Sequence, residues 1–320
     1  MDDILLAMAR PRPSLSPSRF SNDDFRRFRR ADTHAFGERE VTRNVIPVIE
    51  GTVLDTKCIA GDIAFTNLDD LTDGTIVAAI PDLYYGARPE QLNRQVRKEQ
   101  SGKIIPSSQS DLPILANFFL EVEGPDGNLS VAFRQACYNG ALGARGMHSL
   151  QSYCQPELEY DNKAYTISST YHGGQLKMFA SHPIPPRTPG EKPGFAMTQI
   201  KAWGLTGDAD TFRQGAAAFR NARDWAKEHR DYAIRQANQL AARNHLVPST
   251  AGGLALGVDD DASGEDTLAT SQETVLNLGS HATRSSYCSD TSADELSTEL
   301  GDWLPPKRTK SRSRSRRKNQ

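Results

Sequence analysis

No apolar run in this 320-residue chain approaches the roughly 20 residues a helix needs to cross a bilayer, so a membrane span is not expected. The short apolar stretch Ile4–Ala7 follows Asp2 and Asp3, which argues against a signal peptide. Cysteine is scarce: Cys58, Cys137, Cys154 and Cys288 form no C-x-x-C pair, leaving neither a disulfide framework nor a zinc module in view. We read them as reduced thiols in a cytosolic or nuclear setting. A Walker lysine is missing as well. Gly140, Gly143 and Gly146 recur at helical spacing and follow a helix, so close packing explains them better than phosphate binding. His148 and Ser149 near Cys154 lack the third orienting group a hydrolytic triad needs.

What is present suffices for a core: 37% of residues are hydrophobic and 8% aromatic. The net charge of −2 conceals a segregation. From Val258 to Asp302 eleven acids face Arg284 alone, whereas Lys307, Arg308, Lys310, Arg312, Arg314, Arg316, Arg317 and Lys318 follow with no acid between them. This divides the chain into an unstructured N-terminus (1–19), a folded domain (20–246), a disordered acidic linker (247–306) and a basic Arg/Ser tail (307–320).

Inside the domain, Ser21 and Asp24 are spaced as a helix cap, and Phe25, Phe28, Ala31 and Ala35 recur at helical period behind it. Arg26, Arg27, Arg29 and Arg30 fill the opposite face. Short apolar runs from Val45 to Val77 suggest brief strands and turns, and Thr75–Ile80 suggests a strand leading into Pro81-Asp82. Pro89 can open a helix reaching Glu99, with Gly102 closing it. Ile114–Val122 has the continuous apolar character of a buried strand, with Glu121 and Glu123 on one face at its end. A helix over Val131–Leu142 follows. Tyr165–Tyr171, Gly173-Gly174 and Leu176–Ala180 form a hairpin, Phe195–Trp203 a last strand, and the stripe from Phe212 to Leu240 a long C-terminal helix ending near Arg243. The expected fold class is α/β (α+β): a central mixed sheet flanked by helices, with a long C-terminal helix and a disordered tail.

The chemistry this order suits is phosphodiester cleavage, in which two or three carboxylates hold a divalent metal that activates water. Asp82 and Glu121 are the candidate metal ligands for Mg²⁺ or Mn²⁺. Pro81-Asp82 followed by Glu121-Val122-Glu123 resembles the PD-(D/E)XK motif of the restriction-endonuclease-like superfamily over roughly residues 21–203. That resemblance implies a restriction-endonuclease-like sheet and assigns catalytic positions to Glu123, Gln135 and Tyr138, the last two looking like the Gln and Tyr of the branch related to RecB nucleases. The motif's lysine is replaced by Glu123, which implies weak or absent cleavage, because losing one electrostatic stabiliser commonly costs about 100- to 1000-fold. Arg134 or Lys177 could supply a displaced cation, and Arg134 a nucleic-acid contact.

A second resemblance rests on longer strings: Tyr84-Tyr85-Gly86-Ala87-Arg88-Pro89-Glu90-Gln91-Leu92, residues 140–153 beginning Gly140-Ala141-Leu142-Gly143, and Arg220-Asn221-Ala222-Arg223-Asp224-Trp225-Ala226-Lys227. They are similar to an uncharacterised family of fungal proteins with a domain of unknown function, many of whose members read Glu-x-Lys where this chain has Glu121-Val122-Glu123. The basic cluster Lys307–Lys318 reads as a nuclear localisation signal. The expected partners are then a nuclear import receptor and DNA or RNA, and the location the nucleus, with or without the cytoplasm. A non-enzymatic nuclear scaffold is the alternative.

Overall fold

Residues 1–155 and 159–246 are described by the computed structural model, all within a unit spanning Met1–Gly252. The acidic linker and the basic cluster Lys307–Lys318 lie outside the described residues. In chain order the helices among the described residues are α1 (Asp2–Met8), α2 (Asn22–His34), α3 (Glu38–Asn44), α4 (Ile46–Glu50), α5 (Arg94–Glu99), α6 (Ser101–Ile104), α7 (Leu129–Gln151) and α8 (Ala209–Leu246). The strands are β1 (Ile59–Ala60), β2 (Leu83–Ala87), β3 (Ile114–Glu123), β4 (Thr166–His172), β5 (Gln175–Ile184) and β6 (Gly194–Gly204).

The six strands form one sheet in sequence order. Every neighbouring pair is antiparallel except β3 and β4, which are parallel. A parallel pair needs a crossover, and α7 supplies it. The result is an α/β protein with a mixed sheet, flanking helices and a long C-terminal helix, in agreement with the class read from the sequence.

Period-two alternation sends the β3 side chains to two different layers. Phe118, Leu120 and Val122 join Ile167, Tyr171 and Met178 against Phe212, Ala216 and Phe219 of α8. Phe119 points the other way, packing with Tyr84 and with Leu142 of α7. Helix α7 lies close on that second face because it carries small residues. A Cβ on Gly143 would stand 2.7 Å from both the Phe119 ring and the Thr166 methyl. The glycine spacing seen in the sequence is therefore packing.

The α2 cap is formed as expected: the Ser21 amide donates to Asp24 Oδ2 (2.8 Å) and the Asp24 amide to Ser21 Oγ (3.2 Å). Other expectations need correction. Order begins at Asp2 rather than Phe20, because Ile4, Ala7, Met8 and Leu15 are buried in the same cluster as the α8 side chains. Residues 46–50 form α4, with Pro47 in its first turn, instead of a strand. No strand forms over Thr75–Ile80; the Asp73 carboxylate holds the Thr75 amide and hydroxyl, and ladder pairing starts only after Pro81-Asp82. Pro89 opens a single 3₁₀ turn, Pro89–Gln91, and α5 starts separately at Arg94.

Candidate acidic active site

Asp82 stands immediately before β2, one step beyond the Leu83–Leu120 pair, which sets it beside Glu121 on the adjacent strand. Its Oδ2 accepts the Val122 amide at 2.6 Å, fixing the carboxyl at the end of β3. Glu121 is 1% exposed. Its Oε1 accepts from Asn139 Nδ2, whereas Oε2 has no hydrogen-bond partner among the described residues. Glu123 follows on the same face by strand alternation, opposite His172 of β4. Asp82, Glu121 and Glu123 thus meet on the α7 side of the sheet.

A fourth carboxylate was not visible in the sequence. Gly124, directly after β3, lies so close to α3 that a Cβ there would stand 2.7 Å from the Glu38 amide nitrogen. The charge of Glu38, in the first turn of α3, is felt by both Asp82 and Glu121. No sequence pattern marks Glu38, because it reaches the strand acids from a separate helix, at no spacing that a periodicity could predict.

The electrostatics follow from burial and like charge. Asp82 is pushed up to about 8, first by desolvation and then by Glu38, Asp62 and Glu123, against the Val122 amide. Glu121 lies well above the usual carboxylate range, through burial and then the neighbouring Asp82 charge, with Asn139 opposing. Glu123 is raised by burial, while the Asn128 amide, His172 and the Ala132 amide pull it down. Asp82, Glu121 and Glu123 make no ion pair among the described residues. Such a group holds protons or a cation.

The surroundings of Glu123 favour an anion. It faces backbone amides in the first turn of α7, where the helix dipole favours a negative group. A glutamate is thus accommodated by α7, and a lysine at this position would oppose the dipole.

The helix partners differ from those expected. Gln135 is exposed and makes no hydrogen bond to Asp82 or Glu121. Tyr138 is half-buried against the Phe65–Tyr84–Phe119 cluster and senses Asp70 and Arg145, away from the acids. Asn139, one turn beyond Gln135, is the α7 side chain that reaches Glu121. Gln135 and Asn139 share a helical face about 6 Å apart along the axis, so the placement of α7 along the sheet decides which of them meets Glu121. Arg134 is exposed on α7 and unpaired among the described residues. Lys177 lies on the α7 side of the sheet in the cross-strand row Glu121–Thr170–Lys177, two strands from Glu121.

The donor set has the chemistry of a hard-cation site: carboxylate oxygens, one of them buried and unpartnered. Among the described residues no three His, Cys, Asp or Glu side chains form a ready-made ligand cage. Mg²⁺ suits this arrangement, since it is commonly bound by one or two carboxylates together with water and substrate phosphate. Compared with family models, curated proteins and solved structures, the chain matches none.

Proposed function

We propose that this is a restriction-endonuclease-like domain that binds Mg²⁺ or Mn²⁺ through Asp82 and Glu121 and acts weakly, or not at all, as a nucleic-acid phosphodiesterase. The observation that carries the reading is the buried Glu121 Oε2, without a hydrogen-bond partner among the described residues, beside the like-charged Asp82. The topology supports it: an antiparallel β1–β2–β3 meander, the α7 crossover and a parallel β4 place one acid at the start of β2 and two at the end of β3. So does the PD-(D/E)XK resemblance of Pro81-Asp82 and Glu121-Val122-Glu123.

Mg²⁺ or Mn²⁺, when bound, supplies Lewis-acid polarisation of the phosphate and a water of lowered pKa. The chain's own residues do the rest. The Val122 amide orients Asp82, and Asn139 orients Glu121. Glu123 adds a negative charge where a lysine would stabilise the developing phosphorane charge, which separates binding from chemistry.

The test is Mn²⁺ binding by the full chain together with cleavage of a fluorescent oligonucleotide. The expected result is Mn²⁺ binding that Asp82→Ala removes, with slow wild-type cleavage that disappears in the same variant. Robust cleavage surviving Asp82→Ala, or no Mn²⁺ binding by the wild type, overturns the reading. Mn²⁺ binding without cleavage selects the inactive form of this reading. We also propose nuclear import through Lys307, Arg308, Lys310, Arg312, Arg314, Arg316, Arg317 and Lys318. A tagged chain ending at Pro306 that still accumulates in the nucleus would remove that part.

A further inference from the structure

The corner between α2 and α3, just before Glu38, carries an aromatic ring with no evident structural use. Phe36 is 82% exposed, although its neighbour Ala35 is buried. Its backbone is not loose: the Phe36 amide donates to Glu40 Oε2 at 2.7 Å, tying the corner between α2 and α3 to the first turn of α3. Two residues further on stands Glu38, whose amide packs against Gly124 and whose charge reaches Asp82 and Glu121. The ring is therefore held in solvent, two residues before Glu38.

Its neighbours in sequence include the acids Glu38 and Glu40 and three arginines. Arg29 and Arg30, in the last turns of α2, and Arg39, in the first turn of α3, are exposed and make no ion pair among the described residues, while Arg26 and Arg27 are paired with Asp23 and Asp24. Arg30 lies about 6 Å of helix rise before His34 at the helix end. A protein-docking patch would be contiguous and apolar. Here the flanking residues His34, Arg39 and Glu40 are polar and exposed, so a single ring projects from a polar rim. An exposed aromatic face among unpaired guanidinium groups is how proteins hold unstacked bases and their phosphates. A duplex presents no free base face to such a ring.

We propose that the α2–α3 corner is a docking site for single-stranded nucleic acid, in which a base stacks on Phe36 and neighbouring phosphates meet Arg29, Arg30 and Arg39. The inference names the substrate class for the acidic site and rests on the reading of that site given above. The strand would then run from the corner past Glu38 toward Asp82 and Glu121.

The test uses the full chain in EDTA at about 150 mM salt, so that cleavage plays no part and long-range attraction is screened. The probes are a fluorescein-labelled thymidine 12-mer, the same strand carrying one 2-aminopurine, and the corresponding duplex. The wild type should bind the single strand more tightly than the duplex and quench 2-aminopurine. Phe36→Ala should weaken single-strand binding about tenfold or more and abolish the quench, Phe36→Trp should retain both, and Arg29→Ala with Arg30→Ala should weaken binding with the quench intact at saturation. The basic tail contributes equally to every variant, so the ratios report the corner. Unchanged affinity and quenching in Phe36→Ala, or tighter binding to the duplex, overturns the proposal. Because no metal is present, absent Mn²⁺ binding in the other assay would sink the reading of the acidic site and leave this result standing.

Discussion

At the scale of single residues, a carboxylate whose ionised form is disfavoured by its surroundings makes the fold itself a pH sensor. Asp82 lies near 8 in the fold against an ordinary value of 3.8, so the folded state holds its proton more tightly than the unfolded chain between those limits. Its stabilising contribution is full below the ordinary value and is lost as pH rises toward 8; Glu121 acts in the same direction. The metal-free protein should melt at a lower temperature at pH 9 than at pH 5, and Asp82→Asn should flatten that slope. Added Mn²⁺ should reverse it, raising the melting temperature more at pH 8 than at pH 5, because binding requires the ionised acids. Calorimetry showing a metal-free melting temperature that climbs from pH 5 to 9 would contradict the assigned burial. Asp82 and Glu121 were legible in the sequence because residue type, order and strand alternation bring them together. Glu38 and Asn139 were not, since one arrives from a helix with no motif and the other depends on where α7 lies along the sheet.

At the scale of elements, the strongest sequence signals were those in which local chemistry and tertiary need agree. The β4–β5 hairpin forms around Gly173 and Gly174, both at positive φ, and β3 and α8 follow their apolar patterns. The failures were elements that only a neighbour creates. β2 pairs because β3 offers a ladder, and Thr75–Ile80 stays out of the sheet despite its β-branched residues. Helix α7 is the element on which the site depends, since it carries Asn139 and its first turn faces Glu123. Its depth on the sheet is set at Gly143. Gly143→Val would push side-chain atoms into Phe119 and Thr166, lifting the helix at a cost of about 1–3 kcal/mol or more. The expected signature is a lower denaturation midpoint together with weaker Mn²⁺ binding, while Cys137→Ala, at an exposed α7 position, should change neither. Equal Mn²⁺ affinity in the Gly143→Val variant would mean that α7 does not position Glu121.

At the scale of the whole molecule, α8 is the spine, 38 residues and about 57 Å long, on which separate parts of the chain converge. Its Phe212 stacks on Phe20 at 4.5 Å, its Arg220 donates to the Ile49 and Val48 carbonyls at the end of α4, and its Asn221 donates to the Met8 and Arg10 carbonyls. Arg12 returns the bond to Asn221 Oδ1 at 2.7 Å and pairs with Asp224. The prolines and serines of the first twenty residues obscured this docking, because a segment that is irregular by composition can still be held by side chains distant in sequence. Ile4, Met8 and Leu15 are each less than 5% exposed, and burying three such side chains contributes about 5–9 kcal/mol, a large share of the 5–15 kcal/mol typical of a domain. Removing residues 1–19 should therefore leave a chain that is insoluble or melts far below the wild type. The milder Ile4→Ala should cost about 2–5 kcal/mol in denaturant unfolding without altering the acidic site. Proteinase K digestion of the full chain gives an independent readout, and the stable fragment should retain α1 at its N-terminus. A fragment starting at Phe20 with an undiminished melting temperature would show that the segment is an ornament on the domain rather than part of it.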